Sequence, residues 1–196
     1  MEYKVYQLDI IKNNHRKFVR QINCIYKQIK KEFKSSDTTW VYDKYNIFSK
    51  SSASLLFYKL YKKLNYCIRD YVKDDKPLWM QSWLNYHNSQ NLALSLGEKQ
   101  GFHSHNAKYH GYISIDPQNT ITIFRNGLEI PNKIGQLYIG PGSNSGLKPP
   151  PEGPWDHYVK VLTPLSKPRI TIAFDIIDKG EPYEWLGGTN IWFPLL

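Results

Sequence analysis

Apolar side chains recur at three- and four-residue steps in two early stretches of the chain. Phe18, Ile22, Ile25, Ile29 and Phe33 form one series; Leu56, Leu60, Leu64, Cys67, Ile68 and Tyr71 form the other. That period puts each series on one stripe of an α-helix, predicting helices over about residues 13–34 and 53–73. MEYKVYQLDI reads as a first strand, and SSDTTWVYDKYNIFSKSS (35–52) as the loop between the helices, with Asp37 and Ser52 or Ser54 available as caps. From Pro77 the texture changes. LWMQSWLNYH, ALSL, GYISID, TITIF, QLYIG, YVKVL and RITIAFDII are short β-branched or aromatic runs separated by Pro, Gly and Asn turns. Seven or eight short strands joined in this way predict an antiparallel sandwich or barrel, with the N-terminal helices over one outer face. The Pro-, Gly- and Ser-rich stretch GPGSNSGLKPPPEGP, Gly140 to Pro154, reads as a long loop of the kind that serves as a lid or substrate contact.

Composition bounds this picture. With 41% hydrophobic and 15% aromatic residues in 196 positions, the chain has enough apolar material for one domain with its own core. We read a single domain over 1–196: a helical cover (1–76), a β core (77–178) and a C-terminal tail (179–196). No apolar run approaches the roughly 18 residues of a membrane span, and the N-terminus lacks the basic-then-apolar order of a signal peptide. A soluble, cytoplasmic protein with no membrane partner is expected. The two cysteines, Cys24 and Cys67, fall within the helical segments without CxxC spacing and read as reduced core thiols. The net charge of +9 arises mainly before residue 76, from Arg16, Arg20, Lys27, Lys30, Lys31, Lys34, Lys59, Lys62, Lys63 and Arg69 beside the apolar stripes. The favoured reading is the solvated face of two amphipathic helices, with nucleic acid or another acidic partner as the less favoured one.

Candidate chemistry lies in the β-textured part. His103-x-His105, a third imidazole at His157 and Arg169 at the head of an apolar strand supply three nitrogen donors and an anion-binding cation. Side chains alternate along a strand, so His103 and His105 point the same way, and His157, Val159 and Val161 share a face. On the last long strand Arg169, Thr171 and Ala173 face one side, and Ile170, Ile172, Phe174 and Ile176 the other. An arginine so placed is costly to bury without an anion, and the Thr171 hydroxyl two residues on completes a carboxylate clamp. His110 and Tyr112 share a parity, so either can face the pocket and donate to a carboxylate. Trp83 and Asn85 read first as a core tryptophan and a satisfied strand amide. An HxH pair alone is a weak signal; its order with the distal His and Arg makes it specific.

Over about residues 79–178 these residues resemble the 2-oxoglutarate- and Fe(II)-dependent dioxygenases. SWLNYH, with Trp83 and Asn85, looks like that group's Trp-x-Asn strand, HSHNAKYHGYISID like its first metal motif and following strand, and WDHYVKVLTPLSKPRITIAFDI like its distal histidine and co-substrate arginine. The resemblance implies a double-stranded β-helix (jelly-roll) fold, mainly β with N-terminal α-helices, and iron ligated by His103 and His157. It further implies that Arg169 and Thr171 bind the far carboxylate of 2-oxoglutarate, whose decarboxylation is coupled to hydroxylation of a small-molecule or peptide substrate. One position departs from the pattern, because the family's His-x-Asp or His-x-Glu is His-x-His here. Three completions are open: His105 is the third ligand, it stays off the metal, or Asp116 or Asp156 closes the triad. A three-histidine site is also similar to cupin-type thiol dioxygenases, which use no 2-oxoglutarate, but such a protein has less reason to place Arg169 on an inward face. A jelly-roll binding module without productive metal is the remaining class.

Overall fold

The computed structural model describes residues 2–32, 38, 46–50, 54–87, 101–142, 152–178 and 192–195. The chain runs β1 (Lys4–Gln7), α1 (Asp9–Asn13), α2 (His15–Glu32), α3 (Ile47–Lys50), α4 (Leu55–Val72), β2 (Leu78–His87), β3 (Tyr109–Asp116), β4 (Thr120–Phe124), β5 (Glu129–Pro131), β6 (Gln136–Pro141), β7 (His157–Val161), β8 (Arg169–Ile177) and β9 (Phe193–Leu195). The expected caps Asp37 and Ser52, the stripe residue Phe33, the ALSL run, most of the Gly140–Pro154 loop and most of the tail lie outside the described residues.

Both long helices follow their apolar period. α2 buries Phe18, Ile22, Ile25 and Ile29, while α4 buries Phe57, Leu60, Leu64, Cys67, Ile68 and Tyr71. α4 begins where Ser54 accepts a hydrogen bond from the Phe57 amide at 3.3 Å, closing one of the donors a helix start leaves open. It ends at Lys73, whose φ of 52° breaks the helical run. Cys67 is the core thiol expected, but Cys24 is exposed. It follows Ile22 by two residues, a rotation of about 200°, which carries it away from the buried stripe.

The strands form two antiparallel sheets. The larger has the order β1-β6-β3-β8-β2-β9 and the smaller β5-β4-β7. β5 and β9 are three-residue elements too short to show in the alternation pattern. The larger sheet has a different partner on each face. Ile170, Ile172, Phe174 and Ile176 of β8 join Leu78, Met80 and Leu84 of β2, Ile113 and Ile115 of β3, and the helical stripes in one core. On the other face Trp83, Tyr112, Tyr138 and Ala173 meet Phe124 and Ile130 of the smaller sheet. The layers are therefore helices, large sheet and small sheet, and β8 changes environment at every residue. Gly111 makes the centre of this sheet possible: a Cβ there would stand 2.3 Å from the Tyr138 carbonyl oxygen and 2.4 Å from the Phe174 ring. Of the tail, residues 193–195 add an edge strand to β2, with Leu195 buried against the helical side. Among the described residues, no helix is long and apolar enough to cross a membrane.

Candidate metal centre

The inner face of β8 carries Arg169, Thr171, Ala173 and Asp175 in sequence, and the candidate chemistry is arranged along it. In register, Asp175 lies opposite His110, Ala173 opposite Tyr112, Thr171 opposite Ser114 and Asn85, and Arg169 opposite His87. Histidines gather at the Asp175 end, and the arginine occupies the other.

His103, His105 and His157 each offer a ligand atom, all within 4.8 Å of one another. Three nitrogens about 2.1 Å from a common ion stand roughly 3 Å apart, so small side-chain movements would close the group around one. Their convergence does not come from strand alternation. His103 and His105 lie in an irregular segment, and His103 is held by reciprocal backbone hydrogen bonds with His157, both 3.1 Å. This single bridge adds His103 to the edge of the small sheet beside β7.

Partners behind the rings set their tautomers. His105 Nδ1 lies 2.8 Å from Asp175 Oδ1. A carboxylate only accepts, so Nδ1 carries a proton, which leaves Nε2 as the nitrogen that could take a metal. His157 Nδ1 faces the Trp155 carbonyl at 3.4 Å, which selects the same tautomer. Burial, followed by the neighbouring imidazoles, holds His157 well below the usual histidine range. His103 is lowered as well, first by the protein behind it and then by His105, although its ring keeps an exposed edge.

A fourth imidazole belongs to the cluster. His110 stacks 4.5 Å from His105 and 5.1 Å from His157, is 2% exposed, and leaves its Nε2 buried without a partner. Trp83 lies over His105 at 5.9 Å and is at once a core residue and a wall of the site. Tyr138 stacks on Tyr112 and turns its unpartnered hydroxyl along the strand over Gly140, where a Cβ would stand 2.1 Å from it.

At the opposite end Arg169 is 3% exposed, and among the described residues no carboxylate pairs with it. One guanidinium nitrogen donates to Thr171 Oγ1 at 3.4 Å and to His87 Nδ1 at 3.3 Å, whereas Nε is buried and unpartnered. Burial lowers the Arg169 pKa to about 10, which leaves it cationic at neutral pH. Burial and then Arg169 push His87 down to about 3, so its ring is neutral and accepts the bond. Asn85 Nδ2 reaches Thr171 Oγ1 at 3.5 Å. The Tyr112 phenol, raised to about 12 by burial, remains a donor; Thr122 lies close to it but outside hydrogen-bonding geometry. Arg169 and Asp175 are about 20 Å apart along the backbone. The arginine leans toward Thr171, and Tyr112 stands between it and the histidines.

Neither carboxylate considered for the third ligand joins the histidines. The β3 register shifts between Ser114 and Asp116, turning Asp116 to the helical side, where Lys167 pairs with it at 2.9 Å and His15 at 3.7 Å. Asp156 is occupied by the Gly153 amide at 3.0 Å and Arg125 at 3.5 Å. Asp175 and His87 enter the site without having been singled out in the sequence, although both share the parity of residues that had been.

No protein-family model matches the chain, and no curated protein matches it. Among solved structures, the chain is similar to the "Putative oxygenase from Shewanella oneidensis", with 11% identity and a TM-score of 0.49 over 90% of this chain and 82% of that one. A second is a full-length Neurospora crassa protein in complex with alpha-KG, with 13% identity and a TM-score of 0.33 over 59% of this chain and 41% of that one. Likeness this distant assigns no activity.

Proposed function

We propose that the chain is a 2-oxoglutarate- and Fe(II)-dependent oxygenase, a hydroxylase of a small-molecule or peptide substrate, built on a double-stranded β-helix. The observation that carries this reading is Arg169: a buried cation without a carboxylate partner among the described residues, on the β8 face whose far end, Asp175, bonds one of the three clustered histidines. Such a charge is costly unless an anion accompanies it. The strand order β6-β3-β8-β2 facing β5-β4-β7, with His103 bridged onto β7, supports the fold assignment.

The residues fit both groups. His103, His105 and His157 would hold the metal through neutral imidazoles, leaving positions open for a chelating keto acid. Iron, once bound, would supply oxygen activation coupled to decarboxylation of the keto acid. The chain's own contribution is placement. Arg169 and the Thr171 hydroxyl would receive the distal carboxylate, Asn85 would fix Thr171, and the Tyr112 phenol would donate from the side. Asp175 would keep the His105 ring in the ligating tautomer, while Trp83 over His105 and Phe124 beside His157 shield those two rings.

Among the described residues no carboxylate joins the histidine group, which favours a second reading, a three-histidine cupin-type enzyme that does not use 2-oxoglutarate. Anaerobic titration of the Fe(II)-loaded protein with 2-oxoglutarate separates the two. The first reading expects a weak visible charge-transfer band that is lost in Arg169→Ala. Bound iron with no band, and no 2-oxoglutarate binding by calorimetry, would establish the second instead.

A further inference from the structure

The helical layer carries a charge distribution that the metal site does not use. α2 holds six Lys and Arg residues against Glu32 and α4 holds four against Asp70, so these two helices carry a net +8 of the chain's +9. Both pack on the face of the large sheet turned away from the histidines.

α2 also borders a concavity of about 560 Å³, formed with the segment leading into β8. Arg16, Arg20 and Lys27 line it from the helix, Lys167 lines it from the opposite wall, and Asp116 lies buried beside His15. Asp116 is matched by Lys167 and His15, whereas Arg16, Arg20 and Lys27 have no carboxylate partner among the described residues. The three lie on one stripe, eleven residues or about 16 Å from end to end. Two are arginines, whose planar forks suit phosphate oxygens.

We propose that this groove binds the phosphodiester backbone of single-stranded nucleic acid. Its unpaired cations Arg16, Arg20 and Lys27 are spaced along a line within a concavity, as a linear polyanion lying in a groove requires. A membrane surface fits less well, because α2 exposes no large apolar side chain among the described residues for insertion between lipids. The groove is separated by the large sheet from the metal cluster, so it is a second site that is independent of the proposed chemistry.

Fluorescence anisotropy of the full chain with a labelled single-stranded oligonucleotide of mixed sequence tests this. Three phosphate contacts give a log-affinity against log-salt slope of about −2. The triple variant Arg16→Glu, Arg20→Glu, Lys27→Glu should weaken binding on the order of a hundredfold and flatten the slope by about 2. The carboxylate at position 16, in the first turn of α2, favours the helix, and circular dichroism checks that the fold survives. If the triple variant does not fold, the double variant Arg20→Ala, Lys27→Ala should still flatten the slope, by about 1. Unchanged affinity in the folded variants overturns the proposal. So does equal competition by polyglutamate, which would identify an acidic protein partner, or binding to phosphatidylserine vesicles without oligonucleotide binding, which would identify a membrane surface.

Discussion

Asp175 accepts from His105 at 2.8 Å, so the residue standing where a His-x-Asp motif has its carboxylate is itself hydrogen-bonded to one. Its charge strengthens His105 as a donor and fixes its ring, the role that carboxylates behind metal-bound histidines commonly play. Asp175→Asn preserves shape and strand while removing that charge. Metal affinity measured by competition with a chromophoric chelator should fall about 10- to 100-fold, with the fold intact. Unchanged affinity would detach Asp175 from the centre. Arg169 is legible because a charge stands out at the head of an apolar strand, and the three histidines through the HxH spacing and their order with it. The parity that picks out Arg169, Thr171 and Ala173 in RITIAFDII continues directly to Asp175. His87 is not legible in that way. Its role depends on β2 pairing with β8, a register that one strand's sequence does not contain.

At the scale of elements, the two long helices and the strands β2, β3, β4, β6, β7 and β8 follow from period and turn residues. Local pattern could not show the His103 bridge, which exists only because β7 lies beside it. The same limit applies to the register shift that turns Asp116 outward, since a bulge is a property of a strand pair. β3 itself depends on a close approach that only glycine permits. Gly111→Ala would drive a methyl against the Tyr138 carbonyl and the Phe174 ring, and the carbonyl is backbone that cannot rotate away. We expect a loss of about 1–3 kcal/mol, read as a lower melting temperature. An unchanged melting temperature would mean that the central strands can part without cost.

The whole molecule separates its polar groups by layer, with the histidines and Arg169 between the sheets and positive charge on the helices. The buried histidines link its stability to pH. His87, His110 and His157 are held below the free imidazole value, chiefly by burial, with His87 at about 3. The unfolded chain takes up their protons near pH 6.5, whereas the folded chain does so only at lower pH. Their contribution is therefore complete above about 6.5 and is lost as pH falls, at up to about 1.4 kcal/mol per pH unit for each histidine, continuing to about 3 for His87. The urea midpoint of the metal-free protein should fall between pH 7 and 5; a flat profile would mean that the histidines protonate within the fold. The bridge between His103 and His157 has a further consequence for the conformational entropy of the unfolded chain. These histidines are 54 positions apart. An ion gripping both, and remaining bound to them after unfolding, would act as a cross-link, closing a loop that a covalent bridge of that length would stabilise by about 4 kcal/mol. The same ion would then be a cofactor and the chain's staple.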